Sequence, residues 1–444
     1  MIFNVNEKTL SIPEGTEDVL GFDMRYREHI INKIKGVYEN YGFNPHKTPI
    51  LEYLDTFNGH HGEGEKLFFH IKDKNEKYLI PRYDLTVPLA RVVSMHPNIP
   101  RPYKRFQIGP SFRDDQPGKS HYREFTQCDA DIIGSDSLLA EIDITIMAHE
   151  LINKLGIKNF VLKINHRLLI QALALKVGLN TKEEQLGLQR ALDYADKVSK
   201  DGLQGIKNKL IENKIPLDIA NQILSEIECF SNLLAQYEDL QDQINQIEKF
   251  FNYCLSSTKA TADLKFILSY LPKNVQSNIK IDLTLARGAD YYTGYILEGL
   301  VIDSEIGAIL GGGRYNNLVS AVGNLNEPGV GLAFGLERLL SVLKNLDYIN
   351  KNILLPHKIL LADANEEFHP KIFLIARELR KYYDVDIYYN HTQFEEIVHF
   401  AQENKHQIII ELIGSRPLIH SVIENETFKL EVTDVLNNLD FIND

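Results

Sequence analysis

Residues 112–125, FRDDQPGKSHYREF, concentrate charges of both signs beside a terminal aromatic ring. An arginine guanidinium is a planar fork that can hold a carboxylate or a phosphate through two hydrogen bonds. An aromatic ring offers a flat face on which a nucleobase can stack. The segment therefore has the side chains of an anion- or nucleotide-binding site, although a solvated loop would carry the same charges.

Two long antiparallel strands are needed to position these side chains. Alternation of apolar and polar residues predicts strands over YKRFQIGPSFR and REFTQCDADIIG, and the polar DDQPGKS between them predicts a turn. Apolar spacing predicts amphipathic helices over 26–41 and 137–155. A short buried helix is predicted over 85–95.

The 444 residues are too many for one ordinary core, so we expect two or three domains. Long helical runs that are poor in glycine predict a helical insertion over 181–275. Residues 1–180 and 276–345, where strand signals return, are then two parts of one interrupted domain. A βαβαβ rhythm over 355–444 predicts a separate α/β domain.

The bulk composition excludes several classes of protein. No run of eighteen apolar residues exists, and the first residues lack a basic flank and a long apolar core, so we expect no membrane span, no signal peptide and a cytoplasmic location. The three cysteines, Cys128, Cys229 and Cys254, are widely spaced, which argues against a disulfide framework and against a structural metal site. A net charge of −13 disfavours nonspecific nucleic-acid binding.

Several segments, taken in order, resemble the motifs of the histidyl-tRNA synthetases, which are class II aminoacyl-tRNA synthetases. The similar segments are PRYDLTVPLARVV (amino-acid binding), FRDDQPGKSHYREFTQ (motif 2), LARGADYY and GGGRY (histidine motifs), and GLAFGLERL (motif 3). The resemblance spans about 12–165 and 280–343. It implies an α+β catalytic domain built on an antiparallel sheet with flanking helices, a helical insertion, and a C-terminal α/β domain like those that bind anticodons.

The resemblance also implies an activity. L-Histidine would be ligated to tRNA(His) through a histidyl-adenylate, with release of pyrophosphate and AMP, and ATP would act with Mg²⁺. A homodimer would form through motif 1, at about 26–52. The alternative is a paralogue that senses histidine without charging tRNA, as a regulatory subunit of the first enzyme of histidine biosynthesis. Such a paralogue should have lost several members of the set Arg113, Arg287, Arg338, RGADYY and GGGRY, and the set is intact.

Adenylation brings a carboxylate against the α-phosphate of ATP, so fixed positive charge and positioning are the main catalytic tools. By resemblance, Arg113 bridges the α-phosphate and the substrate carboxylate, and Arg287 also contacts the α-phosphate; both are expected to be catalytic. Arg338 matches the arginine at the γ-phosphate. The expected ATP-binding residues are Arg113, Asp115, His121, Arg123, Phe125 and Arg338.

Recognition of histidine needs donors and acceptors matched to an imidazole and an ammonium group. Gln127 and Asp131 are separated by an even number, so they lie on the same face of the second strand. The histidine-binding residues implied by the resemblance are Asp84, Leu85, Thr86, Arg113, Gln127, Asp131, Arg287, Tyr291, Tyr292 and Tyr315. Four positions depart from the family pattern, with Asp115 for glutamate, Ser120-His121 for Gly-Arg and Ala289 for leucine, but none removes a required chemical group.

The predicted C-terminal domain is acidic, with 8 Lys+Arg against 16 Asp+Glu over 355–444. Phosphate contacts normally supply much of the affinity for nucleic acid. We therefore expect the anticodon end to be bound weakly, or mainly through base edges and stacking. The lysines of KDGLQGIKNKLIENK in the insertion could contact the acceptor stem, or could belong to a solvated helix face.

Overall fold

The computed structural model describes residues 10–59, 62–118, 122–197, 202–286, 291–302, 304–346, 358–363, 371–390, 393–413, 416–423 and 426–438. Internal contacts divide the chain into two units. The first comprises Met1–Asp18 with Ile30–Tyr348, and the second comprises Val19–His29 with Ile349–Asp444.

An eight-stranded sheet organises the first unit. The strands of this unit are, in chain order, Asn44–Pro45 (β1), Leu51–Tyr53 (β2), Ile71–Lys72 (β3), Tyr78–Pro81 (β4), Tyr103–Phe112 (β5), Glu124–Ile133 (β6), Phe160–His166 (β7), Ile279–Ile281 (β8), Tyr295–Val301 (β9), Leu310–Arg314 (β10) and Gly329–Gly335 (β11). The large sheet has the order β1-β5-β6-β11-β10-β9-β7-β8, and β2-β4-β3 form a smaller sheet.

The predicted antiparallel sheet is confirmed at its centre and is mixed at its edges. In the order of the sheet, each neighbouring pair from β5 through β6, β11, β10 and β9 to β7 is antiparallel. The two edge pairs, β1 with β5 and β7 with β8, are parallel. Parallel neighbours need a long crossover connection. The helical insertion supplies that connection between β7 and β8.

Helices flank the large sheet or form the insertion. Those outside the insertion are Gly21–Asn40 (α1), Leu54–Phe57 (α2), Thr86–Met95 (α3), Leu139–Lys154 (α4), Arg167–Lys176 (α5), Leu318–Val322 (α12) and Leu336–Asn345 (α13), with a 3₁₀ helix at Gly62–Leu67. Those of the insertion are Lys182–Lys197 (α6), Gly202–Glu212 (α7), Leu217–Leu234 (α8), Leu240–Phe250 (α9), Leu255–Tyr270 (α10) and Lys273–Gln276 (α11). The division of the chain into four domain ranges stays a prediction.

The three predicted helices near the site are present with small shifts at their ends. Helix α1 begins five residues before the predicted start, because apolar spacing detects the buried stretch and no residue of the first turn is buried. Asp23 in that turn is favoured near the helix N-terminus. The helix ends at Asn40, just before Gly42, whose φ of +77° allows Phe43 N–H to donate to the Tyr38 carbonyl.

The second unit has a four-stranded sheet of order β13-β12-β14-β15. Its elements are Lys358–Ala362 (β12), Ile372–Leu379 (α14), Asp384–Ile387 (β13), Phe394–Glu403 (α15), Ile408–Ile413 (β14), Arg416–Ser421 (β15) and Glu426–Asn437 (α16). The βαβαβ prediction is confirmed for the parallel strands β12, β13 and β14. The antiparallel strand β15 and helix α16, which complete the unit, were not predicted from the sequence.

Among the residues that the structure describes, no helix combines the length and the apolar character needed to cross a membrane. The same residues include no group of three or more His, Cys, Asp or Glu side chains placed to hold a metal ion. None of the three cysteines forms a disulfide bond, and Cys128 is buried.

Candidate active site

The hairpin of β5 and β6 brings the ends of the segment 112–125 together. The two strands are in register from Tyr103 opposite Ile133 to Phe112 opposite Glu124. Arg113 extends this pairing, since its N–H donates to the Arg123 carbonyl at 2.9 Å. The cation and the closing aromatic residue of the sequence motif therefore lie at one end of the sheet.

Aromatic rings hold the Arg113 guanidinium. Its Cζ lies 4.2 Å from the centroid of the Tyr83 ring and 4.8 Å from that of Phe125. Such cation–π contacts fix a guanidinium without using its N–H donors. The Arg113 Nε atom is buried and has no hydrogen-bond acceptor among the described residues. Donor capacity therefore remains for an anionic ligand.

Arg123, on the returning strand, is more fully engaged than Arg113. It forms an ion pair with Asp114, and its Cζ lies 4.9 Å from the centroid of the Phe69 ring. Its N–H donates to the carbonyl of Gly15, where an added Cβ would lie 2.7 Å from the Arg123 Cγ. Asp115 accepts a hydrogen bond from the N–H of the adjacent Gln116. The acid that pairs with Arg123 is thus Asp114, which the sequence analysis did not single out.

Helix α13 carries Arg338 to the same end of the sheet. Gly335, just before the helix, lies opposite Gln127 in the β11–β6 pair. The buried Glu337 accepts a hydrogen bond from the Thr126 N–H at 2.9 Å, which ties the first turn of α13 to β6. The Arg338 guanidinium donates to the Ala308 carbonyl at 3.3 Å.

Helix α3 begins at the candidate histidine pocket. The buried Asp84 caps it, since its Oδ1 accepts from the N–H groups of Thr86 at 3.1 Å and Val87 at 3.0 Å. Leu85 contributes its carbonyl, which accepts from Arg105 Nη2 at 2.9 Å. The predicted residues 84–86 are thereby fixed by backbone hydrogen bonds.

Asp131 lies in a polar network with no solvent exposure at its core. Its Oδ2 is 2.8 Å from Nη2 of Arg105, which is fully buried, and its Oδ1 accepts from the Tyr315 hydroxyl at 2.5 Å. Burial raises the pKa of Asp131, although Arg105 and the Tyr315 hydrogen bond oppose this. A Cβ at Gly331 would lie 2.0 Å from Asp131 Oδ1, so the glycine leaves room for the carboxylate.

The predicted tyrosines cluster beside this network. The ring centroids of Tyr291 and Tyr292 are 4.9 Å apart, and those of Tyr291 and Tyr315 are 5.8 Å apart. Burial raises the pKa of Tyr291 and of Tyr315, so both hydroxyls stay protonated donors. The structure thus brings together the tyrosines and Asp131 as predicted neighbours.

Asp129 was missed by the sequence analysis although it lies between two predicted residues. It shares a strand face with Gln127 and Asp131 because the three are spaced by two. Gln127 Nε2 lies 3.5 Å from Asp129 Oδ1. Burial raises the pKa of Asp129 well above its ordinary value; the Arg105 guanidinium opposes the rise, and Asp131 adds to it. The same alternation that selected its neighbours could have identified it.

Asn165 near the end of β7 and Arg167 at the start of α5 hold the backbone before and within the LARGADYY motif. Arg167 Nη1 donates to the Ala286 carbonyl at 2.7 Å, and its Nε donates to the Tyr292 carbonyl at 3.2 Å. Asn165 Nδ2 donates to the carbonyls of Leu283 at 3.3 Å and Leu285 at 2.9 Å. No sequence signal marks either residue, because both lie more than 100 positions from their partners.

Two predicted site residues, His121 and Arg287, lie outside the described residues, as does Ala289. The arginine of GGGRY has a role within the scaffold. Arg314 forms a forked ion pair with the buried Glu141, with distances of 2.6 Å from Nε to Oε1 and 2.5 Å from Nη2 to Oε2. This pair anchors β10 to α4.

Comparison with known sequences places this arrangement in a family. A family model described as Histidyl-tRNA synthetase matches residues 15–339. The Histidine–tRNA ligase of Cytophaga hutchinsonii is 31% identical over an alignment of 466 positions, which covers 97% of this chain and 99% of that protein. The Histidine–tRNA ligase of Azobacteroides pseudotrichonymphae is 34% identical over an alignment of 447 positions, which covers 93% of this chain and 93% of that protein.

Solved structures share the fold. The histidyl-tRNA synthetase from Nostoc sp. PCC 7120 matches with a TM-score of 0.73 at 22% identity, covering 97% of this chain and 99% of that one. A Bacillus halodurans protein described as an ATP phosphoribosyltransferase regulatory subunit/histidyl-tRNA synthetase matches with a TM-score of 0.71 at 20% identity, covering 92% and 100%. Structural likeness alone therefore does not separate a ligase from a regulatory paralogue.

Proposed function

The chain belongs to the histidyl-tRNA synthetase family, and from this we infer that it is a histidine–tRNA ligase. It joins L-histidine to tRNA(His) in an ATP-dependent reaction through a histidyl-adenylate, with release of pyrophosphate and AMP. The observation that carries this conclusion is the similarity, over nearly the whole chain, to curated histidine–tRNA ligases. The regulatory paralogue gains no comparable support.

The site geometry supports an assignment of the ATP-binding residues. We propose that ATP lies along Arg113, Phe125 and Arg338, with the guanidinium of Arg113 at the α-phosphate and adenine stacked on Phe125. The free donor capacity of Arg113 and the position of all three residues at one end of the sheet support this. Mg²⁺ would enter with ATP as part of the substrate, because phosphate oxygens and water supply most of its ligands.

The buried acidic network suits the polar ends of histidine. We propose that the ammonium group binds near Asp84, Thr86 and Gln127. The imidazole would bind between Asp131 and the tyrosine cluster, where Tyr315 and Arg105 already orient the carboxylate. A pocket with fixed donors and acceptors rejects amino acids that would leave them unpaired.

We propose that Arg167 is a positioning residue for the reaction. The resemblance places a catalytic arginine at Arg287, directly after Ala286, whose carbonyl Arg167 holds. Arg167 also holds Tyr292, at the other end of the same motif. Holding the backbone at residues 286 and 292, which flank Arg287 in the sequence, would favour the geometry that the reaction needs.

Exposed apolar side chains support a homodimer. Leu51, Tyr53, Tyr78 and Met95 are 47%, 53%, 57% and 63% exposed, and the first three lie on the small sheet of β2, β3 and β4. Apolar residues concentrated on one surface commonly mark an interface between subunits. Leu51 and Tyr53 share one face of β2, and we propose that this face, at the end of motif 1, forms the dimer contact.

The second unit offers stacking platforms for single-stranded bases. Phe373, Tyr382 and Tyr389 are exposed by 62%, 68% and 66%. Exposed aromatic rings can stack unpaired bases without basic side chains nearby. We propose that this acidic unit contacts the anticodon chiefly by stacking. A cytoplasmic location also stays a prediction.

Histidine-dependent exchange of pyrophosphate into ATP by the purified protein, without tRNA, tests the adenylation step. Exchange with histidine, and with none of the other amino acids, is the expected result. Arg113→Lys should lower the rate, because an ammonium group cannot replace the forked guanidinium. Absence of exchange from folded protein that binds histidine would instead favour the regulatory paralogue.

A further inference from the structure

One oxygen of Asp129 is buried without a donor. The side chain lies on β6, and the residue is 1% exposed. Its Oδ1 has a long contact with Gln127, whereas its Oδ2 has no hydrogen-bond partner among the residues that the structure describes. Buried polar atoms in folded proteins almost always have a partner. An unsatisfied carboxylate oxygen in a candidate pocket therefore indicates a missing donor.

The charged groups around Asp129 have other partners, although Nε and Nη1 of Arg105 have no hydrogen-bond acceptor among the described residues. Arg105 is ion-paired with Asp131, which also accepts from Tyr315. Asp84 is compensated in part by the N–H groups at the start of α3. Arg82, whose charge also acts on Asp129, donates to the carbonyls of Thr48, Pro49 and Pro110.

We propose that Asp129 is a further histidine-binding residue, whose Oδ2 accepts a hydrogen bond from the α-ammonium group of the substrate. This inference rests on the proposed function and deepens it. An ammonium group brings a full positive charge and three donors. A neutral imidazole brings one donor and no charge, so it cannot compensate a second buried carboxylate beside Asp131.

The electrostatics agree with this geometry. Burial raises the pKa of the Asp129 carboxyl, and the neighbouring carboxylates of Asp131 and Asp84 raise it further, against the guanidinium groups of Arg105 and Arg113. Without substrate, the site therefore disfavours the ionised form. An ammonium ligand reverses that preference by supplying a counter-charge in a low-dielectric setting.

Calorimetric titration with three ligands tests the assignment. Histidine and histidinol carry the ammonium group, and 3-(imidazol-4-yl)propanoate retains the imidazole but lacks it. A hydrogen bond to a charged group contributes about 1.5–3 kcal/mol, which corresponds to about 10- to 150-fold in affinity. Asp129→Asn should weaken the binding of histidine and of histidinol by such a factor. It should change the affinity for the propanoate by less than about threefold.

Asp136→Asn is the matched control, since Asp136 is an exposed carboxylate just beyond the end of β6. It should leave all three affinities unchanged. Asp129→Ala, which is smaller and uncharged, provides a second variant, and retained ATP binding shows for each variant that the site is folded. An equal loss for all three ligands, or an unchanged affinity for histidine, would overturn the inference.

Two experiments distinguish a failure of the proposed function from a failure of the assignment of Asp129. If the unaltered protein shows no histidine-dependent pyrophosphate exchange, the proposed function fails. If exchange occurs and Asp129→Asn binds histidine as tightly as the unaltered protein, only the assignment of Asp129 fails.

Discussion

Replacing Arg167 with methionine would remove both guanidinium hydrogen bonds that hold the backbone around residues 287–290. Methionine retains much of the apolar length of the side chain, so loss of packing is small. A hydrogen bond from a charged donor contributes about 1.5–3 kcal/mol, which sets an upper bound of about 6 kcal/mol for the pair. Asn165 would still hold the carbonyls of Leu283 and Leu285.

We therefore expect about half of this bound, ~3 kcal/mol, to be lost from the transition state for adenylation. That corresponds to about a hundredfold fall in kcat for pyrophosphate exchange. The KM for histidine should change less than kcat, because the pocket residues on β6 and α3 are held by other contacts and only Tyr292 loses a hydrogen bond, at its backbone carbonyl. Arg167→Lys keeps the charge but not the fork, so its kcat should lie between the two.

A double-mutant cycle separates positioning from general destabilisation. If Arg167 acts through Arg287, then Arg167→Met should add little to the loss already caused by Arg287→Ala. Additive losses, or a change in KM with kcat unaltered, would refute the reasoning. Arg380→Met is the control, since Arg380 also donates to a backbone carbonyl, that of Val385, but lies in the second unit.

Three further predictions concern buried charge and close packing. Glu141→Gln should lower the free energy of unfolding by about 3–5 kcal/mol, because it leaves Arg314 buried without its counter-charge. Denaturant titration measures this free energy, and a change below about 1 kcal/mol would contradict the prediction. Asp129→Asn should be more stable than the unaltered protein at neutral pH without substrate. Its advantage should grow as pH rises from about 4, since an ionised carboxyl with a raised pKa destabilises the folded state, whereas a constant difference across pH would argue against this. Gly331→Ala should weaken histidine binding by tenfold or more, because the added Cβ would meet Asp131 Oδ1 at 2.0 Å, and unaltered calorimetric affinity would show that the strand can yield.

Local pattern predicted the parts of the site that lie on one element. Alternation along β5 and β6 is a property of the pleat, so it gave both strands and the shared face of Gln127 and Asp131. Helix α3 was likewise evident from a short apolar run. These predictions needed no knowledge of which strands become neighbours.

Long-range pairing set the rest of the site. The Arg105–Asp131 ion pair depends on the register of two strands, and the Arg314–Glu141 pair joins residues 173 positions apart. Arg167 reaches Ala286 across the whole helical insertion. A charged residue that begins a helix looks solvent-exposed in sequence, and only the fold reveals that it holds another segment.

The buried charges of the pocket connect its stability with its selectivity. Asp129 Oδ2 has no partner among the residues that the structure describes, and a buried carboxylate oxygen of this kind destabilises the protein without ligand. A cation bound there would relieve the penalty. Histidine should then stabilise the unaltered protein against unfolding more than it stabilises Asp129→Asn, by an amount that follows the difference in affinity. An amino acid whose side chain cannot satisfy Asp131 and Tyr315 would leave the second part of the network unpaired. Every amino acid can offer an ammonium group to Asp129, but only one whose side chain satisfies Asp131 and Tyr315 would bind tightly. The second contact would therefore give the pocket its selectivity.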